Sequence, residues 1–376
     1  MTQRWIGIVL ACWVVACSKG SAVNHGVAAG AEAQASKPST RAESDAGTRM
    51  TAQTSPPAAQ SGSAGMDAMD SSGVAGWQAY MDTTPATLGS VERGQYLVDH
   101  VLVCGVCHTP SLENGEPDTK NYLAGSRPYD FTDIDGTVIT VNAENLTSHD
   151  PEGLHAWTDG QIRTAITKGV DDEHYAIYPI MPYPEYALLK PEDVDSIIQY
   201  LRTVPANDNV VAADFPRPDI HPPAALVDGS KVPHSTLPKD DPLYEAAERG
   251  RYLASVACLN CHTEEIVLPD GMIDHDEPNL AKAFGGGKQY TFEHKQPKHT
   301  SVNITPDATG LKDWSIDDIV EALKSNKEKG TGRTFCNTHP GTPERFGKMT
   351  DGDRRDIATY IHTLPPVKNG PFKCME

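Results

Sequence analysis

The pentapeptide Cys104-Gly105-Val106-Cys107-His108 returns as Cys258-Leu259-Asn260-Cys261-His262. No other feature limits the folding of the chain as much. Positions i, i+3 and i+4 of a helix share one face, so two thiols and an imidazole at this spacing converge on one object. The surroundings repeat as well. Glu92-Arg93-Gly94-Gln95-Tyr96-Leu97 pairs with Glu248-Arg249-Gly250-Arg251-Tyr252-Leu253, and Asn145-Leu146-Thr147 with Asn303-Ile304-Thr305. Trp157 pairs with Trp314, Tyr200-Leu201 with Tyr360-Ile361, and Val204-Pro205 with Leu364-Pro365, at separations between 154 and 161 residues throughout. Two copies of one domain are expected, over 89–205 and 241–368. The connector 206–240 holds six prolines and reads as semi-rigid; the tail is 369–376.

Helical signals dominate both copies. The stretches 91–104 and 247–258 read as short helices leading into the cysteine motifs. Thr158-Asp159-Gly160-Gln161 has the capping-box form, with Ile162, Ala165 and Ile166 following at helical spacing. Ser315 opens the matching helix. Pro191 starts another, with Val194, Ile197, Ile198 and Leu201 in one stripe, and Thr350 caps its counterpart. The Gly-, Pro- and Asp-rich segments between them read as loops, so the fold class expected is mainly α.

Of the 376 residues, 51 are acidic and 32 basic, a formal charge of −19. A free-standing nucleic-acid binder needs a basic face, which this balance argues against. With 38% hydrophobic residues, a multi-span membrane protein is excluded as well. Arg4 precedes the 13-residue apolar run Trp5–Cys17, too short to span a bilayer and suited to a signal core. Its end, Val14-Val15-Ala16-Cys17, resembles the lipobox of bacterial lipoproteins, which implies a signal peptide over 1–17 and a lipid anchor on Cys17. An ordinary cleaved signal with an incidental cysteine is the alternative. Residues 18–88 are rich in Ala, Ser, Gly, Thr and Gln. They cannot bury enough apolar surface to offset their ordering entropy, and are expected to form a disordered tether. The acidity therefore belongs to residues 89–376, where it would steer a basic partner or simply aid solubility.

Cys-x-x-Cys-His is the spacing for covalent attachment of c-type haem, the two cysteines forming thioethers and the histidine reaching the iron. The cofactors expected are two haems c, on Cys104, Cys107 and His108, and on Cys258, Cys261 and His262. Zinc would need a second ligand pair at suitable distance, a thioredoxin-type pair a βαβ context, and neither is evident. Structural disulfides rarely close so short a loop beside a histidine twice over. With these motifs, Glu-Arg-Gly-x-Tyr-Leu, Asn303-Ile304-Thr305-Pro306-Asp307 and Thr309-Gly310-Leu311-x-x-Trp314, the sequence resembles a tandem dihaem class I cytochrome c. It is similar to cytochrome c subunits of bacterial periplasmic dehydrogenases, over roughly residues 89–368.

The resemblance implies that Gly94 and Gly250 let the first and last helices cross, against Tyr200 and Tyr360. It implies Met181, in Pro179-Ile180-Met181-Pro182-Tyr183, as the sixth ligand of the first iron; a core methionine is the alternative, and His149, His155 and His174 are rivals. The second copy departs from the pattern. Gly341 aligns with Met181, and His339-Pro340 echoes Met181-Pro182 with a two-residue shift. His339 is the expected ligand there, with Met349 or an open iron as alternatives. Bis-His ligation lowers a haem potential relative to His–Met. Cys336 and Cys374 remain for a disulfide, or as two thiols. Arg127 and Lys288, at equivalent positions after the glycines, are candidates for haem propionates, or are solvated loop charges.

The function expected is single-electron transfer, with no catalytic side chain, in a carrier anchored to the bacterial envelope and facing the periplasm. Its partners would be a periplasmic dehydrogenase as donor and a cytochrome or oxidase as acceptor. A dihaem peroxidase needs one iron with a vacant position; a haem-based sensor or scaffold is the third class.

Overall fold

Small polar side chains start the helices where the sequence expects them. The computed structural model describes residues 89–372, except 126–127, 133–137, 213–223, 268–272, 275–278, 291–298 and 336–338; of 128–132, 138–139, 267, 273–274, 290 and 299 it describes the backbone alone. Cys17, the signal, the tether, Arg127, Cys336 and Cys374 lie outside the described residues. Ser90 caps α1 (Val91–Tyr96), its hydroxyl accepting from the Arg93 N–H at 3.1 Å. The capping box of Thr158 and Gln161 opens α3 (Asp159–Lys168), after the motif helix α2 (Gly105–His108). Then come α4 (Tyr183–Tyr186) and α5 (Pro191–Leu201), with proline in its first turn. In the second copy α6 (Tyr244–Ala257) precedes the motif. Ser315 and Asp318 box the start of α7 (Ile316–Ser325), and Thr350 caps α8 (Asp351–His362).

Two expectations need correction. The first helix does not run unbroken to 104: after Tyr96 it widens into a π-helical turn over Leu97–Val101, which buries Leu97, Val98 and Val101. The intervening segments are not all loops. Among the described residues they hold three antiparallel strand pairs: β1 (Pro128–Thr132) with β2 (Val138–Asn142), β3 (Ile266–Val267) with β4 (Ile273–Asp274), and β5 (Gln289–Tyr290) with β6 (His299–Thr300). Val138-Ile139-Thr140-Val141 is a β-branched run that favours a strand, in surroundings whose Gly and Asp content masks it.

In each copy the first and last helices cross where glycine stands. A Cβ on Gly94 would lie 1.9 Å from the Ser196 carbonyl oxygen and 2.8 Å from Tyr200 Cβ; one on Gly250 would lie 1.9 Å from the Asp356 carbonyl oxygen. Around the crossings Ile197 and Ile198 on one side, and Ala254, Ile357 and Tyr360 on the other, are buried. The described part of the connector is bound down. Arg251 donates to the carbonyls of Gly229, Val232 and Pro233 at 2.7–3.1 Å, the Tyr360 hydroxyl donates to Pro233 O at 2.6 Å, and the Ala224 N–H donates to the Tyr183 hydroxyl at 2.6 Å.

The two copies meet through a reciprocal contact. The Tyr252 hydroxyl, from α6, donates to Asp193 Oδ2 at 2.7 Å and accepts from the Lys190 N–H at 3.2 Å, at the start of α5. The Tyr96 hydroxyl, from α1, donates to Asp353 Oδ2 at 2.6 Å and accepts from the Thr350 N–H at 3.2 Å, at the start of α8. Burial and the facing Asp353 push the Tyr96 phenol up to about 12, so it keeps its proton as donor. Arg93 grips Asp193 with two bonds, at 2.8 and 2.9 Å. Tyr252→Phe removes one of the two bonds that Asp193 Oδ2 accepts, Arg93 keeping the other, and should cost about 0.5–1.5 kcal/mol. Thermal unfolding of the variant checks this, and an unchanged transition would reject a role in joining the copies.

Candidate functional site

Each motif histidine is fixed by one backbone carbonyl. His108 Nδ1 lies 2.7 Å from Glu144 O, and His262 Nδ1 lies 2.8 Å from Val302 O. A carbonyl can only accept, so both rings carry their proton on Nδ1 and leave Nε2 as the nitrogen with a lone pair to offer a metal. Burial lowers both imidazole pKa values, against the pull of the carbonyl, and keeps the rings neutral.

The Asn-x-Thr repeat explains why those carbonyls stand there. Asn145 Oδ1 accepts from the Thr147 N–H and hydroxyl at 2.9 and 2.7 Å, while its amide donates to Asn207 O and Asn209 O, at 2.9 and 3.1 Å. Asn303 does the same with Thr305 and with Val367 O, at 2.7–2.9 Å. Each buried asparagine thus ties the stretch that presents the carbonyl to the chain leaving the last helix. The threonine after each motif histidine adds a second tie: Thr109 Oγ1 accepts from the Leu123 N–H and Thr263 Oγ1 from the Phe284 N–H, both at 3.2 Å.

The four motif cysteines carry no disulfide. Burial, then the neighbouring motif thiol, pushes Cys104 and Cys258 up to about 12, so both are thiols at neutral pH. Among the described residues no group of three or more His, Cys, Asp or Glu gathers as a metal cluster, which leaves a zinc site without its second ligand pair.

The rings of His262 and His339 meet edge to face, with centroids 6.5 Å apart and planes at 63°. His339 is half-buried between Phe335 and Phe346, and desolvation followed by the nearby His262 lowers it to about 3. Its Nδ1 accepts from the Gly341 N–H at 3.2 Å, which puts the proton of the metal-free ring on Nε2. If Nε2 were to hold a metal, that proton would have to leave Nε2, and a proton placed on Nδ1 would displace the Gly341 bond.

Met181 is partly buried and packs on the core of the first copy. Met349 is buried in the core, as a helix-entry side chain. His155 and His174 are exposed; His149 is half-buried. Lys288 Nζ lies 3.2 Å from Asn260 Oδ1, inside the second motif. Sequence reasoning missed Glu185 and Tyr186 of α4. The buried Glu185 carboxylate accepts from Asn260 Nδ2 at 3.1 Å, and burial, then the nearby Cys104, Cys107 and Cys261 of both motifs, raises the Tyr186 phenol. Their only signal was that they follow Met181 closely in an otherwise apolar Tyr-Pro-Glu-Tyr turn.

The neutral histidines, the unbridged thiols and the ring pair all fit haem. No protein-family model matches the chain. A dihaem c-type cytochrome of Cereibacter sphaeroides is 28% identical over 287 residues, 70% of this chain and 83% of that protein. The cytochrome c subunit of a quinone alcohol dehydrogenase of Gluconobacter oxydans is 27% identical over 74% of this chain and 56% of its own length. That of a gluconate 2-dehydrogenase of Pantoea cypripedii is 26% identical over 73% and 59%. The chain thus spans less than two thirds of the length of these dehydrogenase subunits. With the motif and its hydrogen bonding built twice, these likenesses make the chain a relative of dihaem c-type cytochromes and of the cytochrome c subunits of bacterial dehydrogenases.

Proposed function

We propose that the chain is a dihaem electron carrier, one haem c held by Cys104, Cys107, His108 and Met181 and the other by Cys258, Cys261, His262 and His339. The observation that carries this reading is that His339 lies beside the second motif histidine, His262, with 6.5 Å between ring centroids. Haem c supplies a one-electron couple; the chain supplies ligands, burial and a docking surface. His–Met and His–His ligand sets would give the two centres different potentials, the first higher. With both sixth positions filled, small molecules are kept off the irons. The donor would be a dehydrogenase, as the relatives' names suggest, and the acceptor a further cytochrome or oxidase. Lipid on Cys17 would hold the carrier at the bacterial envelope, with 18–88 as its tether and the folded part in the periplasm. Among the described residues no helix is long and apolar enough to cross a membrane.

Optical spectroscopy on the full chain tests this reading. Both haems should be low-spin, and cyanide should leave the spectrum unchanged. In His339→Gly, half of the haem should become high-spin and bind cyanide. Cyanide or peroxide binding by the unsubstituted protein would instead favour the peroxidase. A His339→Gly spectrum identical to the parent's would remove His339 as ligand.

A further inference from the structure

The two motifs share a buried acid. Glu185 belongs to the first copy, four residues after Met181, yet its carboxylate bonds to Asn260, which stands between the attachment cysteines of the second. Lys288 closes the group from the other side, through Asn260 Oδ1. We propose that Glu185 is a positioning residue for electron transfer, taking up a proton when the second centre takes up an electron. The inference rests on the haem reading above.

The physical case is one of charge. Glu185 is 4% exposed, and a carboxylate so placed is costly unless charge nearby compensates it. The charged group acting on it is Lys288, with Asn260 as hydrogen-bond donor and Tyr186 beside it on the same helix. Burial raises its pKa, and Lys288 and Asn260 oppose that rise only in part. An oxidised centre carries one positive charge more than a reduced one, so oxidation favours the carboxylate and reduction the neutral acid. The balanced step is one electron from a one-electron donor to the second centre and one proton from water to a Glu185 oxygen. The net charge of the buried group then stays constant. In the low-dielectric interior this costs less than adding an uncompensated electron. The Asn260 amide can hold either form of the acid in place, since one carboxyl oxygen accepts in both.

The sign follows from linkage. Between the pKa of Glu185 beside the oxidised centre and its higher pKa beside the reduced one, the midpoint potential falls as pH rises. Spectroelectrochemical titration of the purified full chain over a series of pH values reads this directly. Glu185→Gln, which keeps the shape and mimics the neutral acid, should meet the parent at low pH, lie above it at high pH, and lose at least half of the parent's slope. Lys288→Met removes the opposing charge and should move the bend in the parent profile to higher pH. It serves as the independent test if Glu185→Gln fails to fold. Profiles of Glu185→Gln parallel to the parent's, or a bend unmoved in Lys288→Met, overturn the inference while haem content stays at two per chain. A parent protein without covalent haem overturns the carrier reading itself, and this proposal with it.

Discussion

Replacing Gly250 by alanine should destabilise the protein by about 3 kcal/mol or more, although it adds one methyl group. The added carbon would stand 1.9 Å from the Asp356 carbonyl oxygen and 2.8 Å from the Ile357 nitrogen. Both are backbone atoms inside α8, and no rotamer can move them. Relief requires the two helices to part along an interface that buries Leu253, Ala254, Ile357 and Tyr360. Thermal unfolding followed by circular dichroism should show a midpoint lower by roughly 6–12 °C. Gly352→Ala is the control: its nearest neighbour would be Thr350 Oγ1 at 3.8 Å, and the change should be neutral or stabilise by up to about 1 kcal/mol. Equal effects at the two positions would show that helix propensity, not the crossing, governs both.

The second large effect concerns the motif thiols. Cys258→Ala with Cys261→Ala should halve the covalent haem per chain, read from mass and from the alkaline pyridine spectrum. Cys258 and Leu259 lie in the core with Phe284, so losing a packed group there should also loosen α6 and its contact with α8. We expect the second copy to become protease-sensitive while the first keeps its own haem. The first motif has its own carbonyl at Glu144 and its own asparagine tie at Asn145, and borrows neither from the second. Unchanged haem content in the double variant would refute attachment at these cysteines.

The helix ends were legible because capping is local chemistry. Thr158, Ser315 and Thr350 satisfy amides three residues away, and a reader of the sequence sees donor and acceptor together. The glycine crossings were expected only because of the resemblance to class I cytochromes c, since an isolated glycine in a sequence does not say what backbone passes over it. The strand pairs were not legible, since β3 to β6 are two residues each and their pairing depends on distant register. The carbonyls on His108 and His262 were hidden for another reason: any residue type offers a carbonyl, and Glu144 and Val302 share no side-chain chemistry. The repeated Asn-x-Thr pointed to the right place without saying what it held. Glu185 was out of reach because its partner, Asn260, is 75 residues away in the other copy.

The reciprocal tyrosines have a consequence for how such a chain is put together. Each copy offers both a phenol and the helix start that receives one, so a single surface is complementary to itself, as in an isologous pair. Contacts of that kind close after one partner and do not grow into filaments. Tethering both halves through one connector replaces an encounter that dilution would undo with one whose effective concentration is fixed by the linker, so the association persists however scarce the protein becomes.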